Sequence, residues 1–126
     1  MKYLIFILFL LFANFQSANA QFVTVTPEEA AVKMKKKRTV VLDVRTKEEF
    51  AEGHLPKAVN IDVLDSANFV QQIQTLNKRK QYVVYCRSGK RSMKASELLA
   101  GSQFKHIYNM EGGILAWKGV LQNKKQ

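Results

Sequence analysis

A three-layer α/β/α domain around a central, mostly parallel five-stranded sheet is the fold class this sequence predicts. Three observations lead there. Residues 39–42 and 81–85 are nearly continuous apolar, β-branched or aromatic runs, the composition of strands buried on both faces. Segments with helix-start signals or helical spacing separate such runs. No internal repeat, low-complexity tract or linker interrupts residues 21–126, so the alternation belongs to a single unit, and strands alternating with helices imply a parallel sheet covered on both faces.

The elements follow in order. Residues 22–25 open as a strand. Thr26-Pro27-Glu28-Glu29 is a capping box with proline at the first helical position, which starts a helix running to about residue 36. The strand at 39–42 comes next. Thr46-Lys47-Glu48-Glu49 repeats the capping pattern, and Gly53 stops the short helix it begins. Residues 58–61 form a strand, and apolar residues at 69, 70, 73 and 76 set a helix over 66–76. After the strand at 81–85 and a loop beginning at Cys86, residues 92–100 form a helix closed by Gly101. Residues 106–108 make a last strand and 114–117 a last turn or helix.

The first twenty residues stand apart from this pattern. Lys2 gives a short positive start, residues 4–13 are an unbroken apolar run, and Ala18-Asn19-Ala20 has the small-x-small form of a signal-peptidase site. The run is shorter than the roughly 20 residues a bilayer-spanning helix needs, and it ends in polar Asn14, Gln16 and Ser17. Residues 1–20 therefore read as a cleavable signal peptide and residues 21–126 as the exported domain, periplasmic or secreted, with no stable membrane anchor after cleavage.

The formal charge is +10; removing residues 1–20 takes away Lys2 and no acid, leaving +9. Nucleic acid is disfavoured as a partner, because no aromatic residues interleave the basic stretches. Steering of a small anionic substrate fits better. The runs at 33–38 (KMKKKR) and 78–80 (KRK) read most simply as solvated helix-end charges. Metal binding has no support, since two histidines and one cysteine are scattered, and no cofactor motif is present.

A lone cysteine in an exported chain cannot be half of an internal staple, so Cys86 is either inert or reactive. Its neighbours favour the second. Cys86-Arg87-Ser88-Gly89-Lys90-Arg91-Ser92 lies between a buried strand and a helix, where successive amides and a helix N-terminus hold an anion. If that anion is the thiolate, its pKa falls and it becomes a nucleophile at neutral pH. Arg87, Lys90 and Arg91 add positive charge, and Gly89 allows backbone angles other residues resist. In a parallel sheet, ligands bind at the carboxyl ends of the strands, so this loop should face Asp43-Val44-Arg45 and Asn109-Met110-Glu111.

CRSGKRS at 86–92, LDVRTKEEFAEGHLPKAVNI at 42–61 and EGGILAW at 111–117 together resemble the rhodanese-like domains, in the same order and over essentially all of residues 21–126. The resemblance implies a sulfurtransferase. Cys86 would take the outer sulfur of thiosulfate as a persulfide and pass it to cyanide or a thiol, with Arg91, and Arg87 beside it, holding the sulfonate oxygens and the loop residues Ser88, Gly89, Lys90 and Ser92 lining the site. Phosphatases and arsenate reductases of similar fold use Cys-x5-Arg; the spacing from Cys86 to Arg91 is Cys-x4-Arg, and Ser92 stands where the longer pattern needs arginine.

The resemblance also implies that Asp43 and Arg45 chiefly tie the fold by ion pairs and act behind the site. His54 reads as a structural histidine, Trp117 as core, and Gly112 and Gly113 as allowing close packing near the loop. Lys57 stands where many relatives have glycine. Two other readings stay open: an exported persulfide carrier or redox-sensing module without turnover, and a degenerate interaction domain. A low-pKa thiol without a second cysteine in an oxidising compartment also calls for a thiol reductant as partner.

Overall fold

The computed structural model describes residues 21–123. The signal peptide expected at 1–20 lies outside the described residues.

Five strands, β1 (Val23–Val25), β2 (Thr39–Asp43), β3 (Val59–Asn60), β4 (Gln81–Tyr85) and β5 (His106–Met110), pair in the order β1-β5-β4-β2-β3, and every pairing is parallel. The apolar runs read from the sequence occupy the centre of this sheet, as burial on both faces requires. Five helices connect them: α1 (Pro27–Met34), α2 (Lys47–Glu52), α3 (Ser66–Ile73), α4 (Lys90–Gly101) and α5 (Gly113–Ala116).

Period-2 alternation along the strands divides the core into two layers. On one face Leu42, Val44, Val84, Cys86 and Ile107 pack against Phe69 and Ile73 of α3 and Ala95 and Leu99 of α4. On the other, Val41, Val83, Tyr85 and Met110 pack against Ala30 of α1 and Leu55, with Ile114 and Trp117 at the margin. The three-layer architecture is the expected one.

One capping box forms in full: Thr46 accepts from the Glu49 amide at 3.2 Å and its own amide donates to the Glu49 carboxylate at 3.3 Å. At Thr26 half of the box forms, the hydroxyl accepting from the Glu29 amide at 3.1 Å while the carboxylate takes the hydroxyl proton rather than the Thr26 amide. Boundaries shift where tertiary contacts outweigh pattern. α4 begins at Lys90 rather than residue 92, with Gly89 as a left-handed N-cap (φ 104°). β5 runs on to Met110, because β1 pairs alongside it as far as Val25 opposite Met110. β3 shrinks to two residues at the sheet margin.

His54 has the structural role expected of it: it is 8% exposed, stacks on Phe50 with ring centroids 3.7 Å apart, and its Nδ1 lies 2.8 Å from the Phe50 carbonyl. Its backbone forms an antiparallel bridge with Gln122, which straps the C-terminal segment to this turn. Lys57 adopts φ 62°, the left-handed conformation that glycine takes freely.

Candidate active site

Cys86 follows the last residue of β4 at the carboxyl end of the sheet, and α4 begins four residues later. A helix needs partners for its first amides, and a Ser, Thr or Asp N-cap usually supplies one. Here the N-cap is Gly89, which has no side chain to offer. The sulfur takes that place: the Gly89 amide donates to Cys86 Sγ at 3.1 Å, and the amides of Ser88 and Ser92 also favour its anion.

Ser92 Oγ lies 3.5 Å from Sγ and 3.0 Å from the Gly89 carbonyl. A hydroxyl has one proton, so the two contacts cannot both be donations. In the thiol state the hydroxyl donates to Gly89 O and accepts from S–H. In the thiolate state it can turn and donate to sulfur. Cys86 is 1% exposed. Burial pushes its thiol pKa up, but the Ser92 hydroxyl and the amides of Ser92, Gly89 and Ser88 outweigh it, and the net direction is down.

The turn after β5 braces the loop from behind. The Ile114 amide donates to the Cys86 carbonyl at 2.9 Å and the Leu115 amide to the Arg87 carbonyl at 3.2 Å. A Cβ at Gly113 would overlap both carbonyls, so the approach requires glycine there. The contact is made by residues 113–115, just beyond the 109–111 segment expected to face the loop.

The cations of the loop divide into two kinds. Arg87 and Lys90 are exposed, as is Ser88. Arg91 turns away to Glu49 of α2, with Nη1 to Oε1 at 2.7 Å and Nη2 to Oε2 at 2.9 Å. The fork expected to grip an oxyanion is occupied by a carboxylate, and Arg91 acts on the sulfur as a nearby charge. Its pKa is raised, chiefly by Glu49 and to a lesser degree by the Cys86 anion. Glu49 was absorbed by its capping-box reading in the sequence, and no local signal paired it with Arg91.

Asp43 and Arg45 lie at the same end of the sheet but on the other face. Asp43 accepts from Arg45 Nη2 at 2.7 Å and from the Tyr85 hydroxyl at 2.5 Å, while Arg45 also donates to the Gly53 carbonyl at 2.6 Å. Alternation puts Tyr85 on the side opposite Cys86, so this network ties β2, β4 and the end of α2 together without facing the sulfur. Burial, then Asp43, pushes the Tyr85 hydroxyl pKa up, and it stays protonated as a donor. Tyr85 went unsingled in the sequence because an aromatic in a buried strand reads as core. No cluster of His, Cys, Asp and Glu able to hold a metal occurs among the described residues.

Fold and site together define the class: an all-parallel α/β/α domain whose cysteine is cradled by amide donors at a strand-to-helix turn. Within that class, the family model for the rhodanese-like domain matches residues 26–119, and the chain belongs to that family. It is 44% identical over 84 residues to YtwF of Bacillus subtilis (strain 168), named provisionally as a sulfurtransferase; the match covers 67% of this chain and 78% of YtwF. It is 30% identical over 107 residues to a tRNA uridine(34) hydroxylase of Buchnera aphidicola, covering 82% of this chain but only 33% of that protein. The crystal structure of a rhodanese-like domain protein from Staphylococcus aureus superposes with a TM-score of 0.71 at 32% identity, covering 82% of this chain and all of the other.

Proposed function

We propose that this protein is a sulfurtransferase that moves sulfane sulfur from thiosulfate to cyanide or a thiol through a Cys86 persulfide. The observation that carries the reading is the amide cradle around a buried sulfur, Gly89 N–H at 3.1 Å, which lowers the thiol pKa against the pull of burial. The name of the Bacillus subtilis relative supports it. The hydroxylation named for the tRNA relatives is not carried over, because this chain spans a third of them.

The steps balance without a cofactor. Cys86 thiolate attacks the outer sulfur of thiosulfate, a sulfur–sulfur bond forms, and sulfite leaves with the electron pair of the bond that breaks. The terminal persulfide sulfur carries the negative charge, which the loop amides stabilise as they stabilised the thiolate. Cyanide, or a thiolate acceptor, then attacks that outer sulfur, takes it as thiocyanate or a new persulfide, and returns Cys86 as thiolate. Exposed Arg87 and Lys90 attract the anionic donor, Arg87 offering the fork that Arg91 has given to Glu49.

The protein acts after export, in the periplasm or outside the cell, and a thiol reductant or thiol acceptor keeps Cys86 from irreversible oxidation. Intact-mass measurement after thiosulfate treatment tests donor and site together: one added sulfur, absent in Cys86→Ser, is expected, and an unchanged mass sinks the proposal. Thiocyanate production with cyanide then separates a turning-over enzyme from a carrier that loads once and does not release.

A further inference from the structure

The catalytic loop leaves most of the positive charge unused, and the sheet register gathers that charge at the other end of the molecule. Thr39 pairs with Gln81 and Gln81 with His106, so β2, β4 and β5 start flush. The residues just before them, Arg38, Lys80 and Lys105, therefore stand in a row at strand spacing, about 4.8 Å apart. The loops behind that row add residues 35–37 and Arg79, all exposed, and Arg38 Nη2 donates to the Arg79 carbonyl at 3.4 Å, which joins two of the loops.

No aspartate or glutamate falls within 33–39, 77–81 or 103–106. The ion pairs among the described residues are Arg45 with Asp43 and Arg91 with Glu49, so none of these cations is paired there. An end-on field of one sign needs an anionic partner to have a use.

The path of the chain identifies the kind of partner. Val23 pairs with Tyr108, and extending that register by two residues puts Gln21 beside His106, at the end of the same row. Gln21 is the expected first residue after cleavage, which takes place at a bilayer surface, so the cationic end is the part of the domain nearest that surface on release. An unpaired basic row in that place matches an anionic bilayer. Nucleic acid fits less well: Phe104, the aromatic residue in these three loops, is 3% exposed and offers no face for a base.

We propose that the amino end of the sheet is a docking face for an anionic phospholipid surface. Bound that way, the protein holds the Cys86 loop at the far end of the sheet, about 20 Å from the cationic row by the six residue steps from Lys80 to Cys86, and turned away from the bilayer. The face is independent of the sulfur chemistry.

Vesicle cosedimentation tests it. Residues 21–126 hold both core layers and every element among the described residues, and a solved chain made of such a domain alone superposes on them, so this piece serves for the test. At about 0.1 M salt it should bind vesicles of equal parts phosphatidylglycerol and phosphatidylcholine, ignore pure phosphatidylcholine, and release near 0.5 M. Lys37→Glu/Arg79→Glu/Lys80→Glu should bind at least about tenfold more weakly, while the rate of Cys86 alkylation by iodoacetamide, which reports an intact loop at the opposite end, stays unchanged. Equal binding to neutral vesicles, a triple variant that binds like the parent, or tighter binding to duplex DNA or RNA than to the anionic vesicles overturns the proposal.

Discussion

Arg91 and Glu49, 42 residues apart in sequence, meet with both guanidinium nitrogens on both carboxylate oxygens, at 2.7 and 2.9 Å. The pair clamps the first turn of α4, and hence the cradle, to the start of α2. Glu49 also accepts from the Thr46 amide and hydroxyl, so one carboxylate serves a helix cap and the cysteine loop together.

That double use predicts acid sensitivity. The Arg91 guanidinium holds the Glu49 carboxyl pKa down from 4.5 to about 2. A group depressed in the folded state contributes stability that is fully present above its unfolded pKa and is lost as pH falls through the folded one. The contribution therefore fades between pH 4.5 and about 2. Its ceiling is about 3 kcal/mol, less on a pair a quarter exposed to screening. Urea unfolding across this window should show the loss in the parent and a flatter profile in Glu49→Gln; parallel profiles would remove the ion pair from the stability of the loop.

Ser92→Ala removes the one side-chain hydrogen-bond donor that reaches the sulfur anion among the described residues. The thiol pKa should rise, and because a hydrogen bond to a charged acceptor contributes about 1.5–3 kcal/mol, reactivity near neutral pH should fall about ten- to a hundredfold. Iodoacetamide alkylation followed against pH checks it: the inflection should move upward while the plateau rate at high pH changes little.

Gly113→Ala forces a methyl into the carbonyls of Cys86 and Arg87 at a residue with φ 60°. A left-handed alanine alone costs about 1–2 kcal/mol, and the overlap must push the cysteine loop outward. Alkylation of Cys86 should change by more than loss of global stability explains. A variant that unfolds at lower urea yet keeps the parent's alkylation rate in native buffer would show that the loop geometry does not depend on this contact.

Asp43→Ala leaves Arg45 buried at 5% exposure without its carboxylate and Tyr85 without its acceptor. Breaking a buried pair in this way costs about 3–5 kcal/mol. Since the network faces away from the sulfur, Cys86 in the molecules that remain folded should react at the parent's rate. Loss of thiol reactivity at unchanged stability would instead give Asp43 a direct part in the site.

The sequence by itself determined the strands, the capped helices, the layering and the place of Cys86 at a strand-to-helix turn. Each of these signals is local: two capping boxes span four residues each, alternation repeats every second residue, and the cations and glycine that flank Cys86 lie within six positions of it. Tertiary structure decided which charges meet. Strand order brings Glu49 to Arg91, Tyr85 to Asp43 and Gly113 beneath Cys86, and it lines Arg38, Lys80 and Lys105 into one face. Arg91 shows the difference most plainly, because the family resemblance implied an oxyanion ligand for it, whereas the fold pairs it with a carboxylate. Pairings across tens of residues depend on how parallel strands are ordered and registered, and no short stretch of chain carries that information.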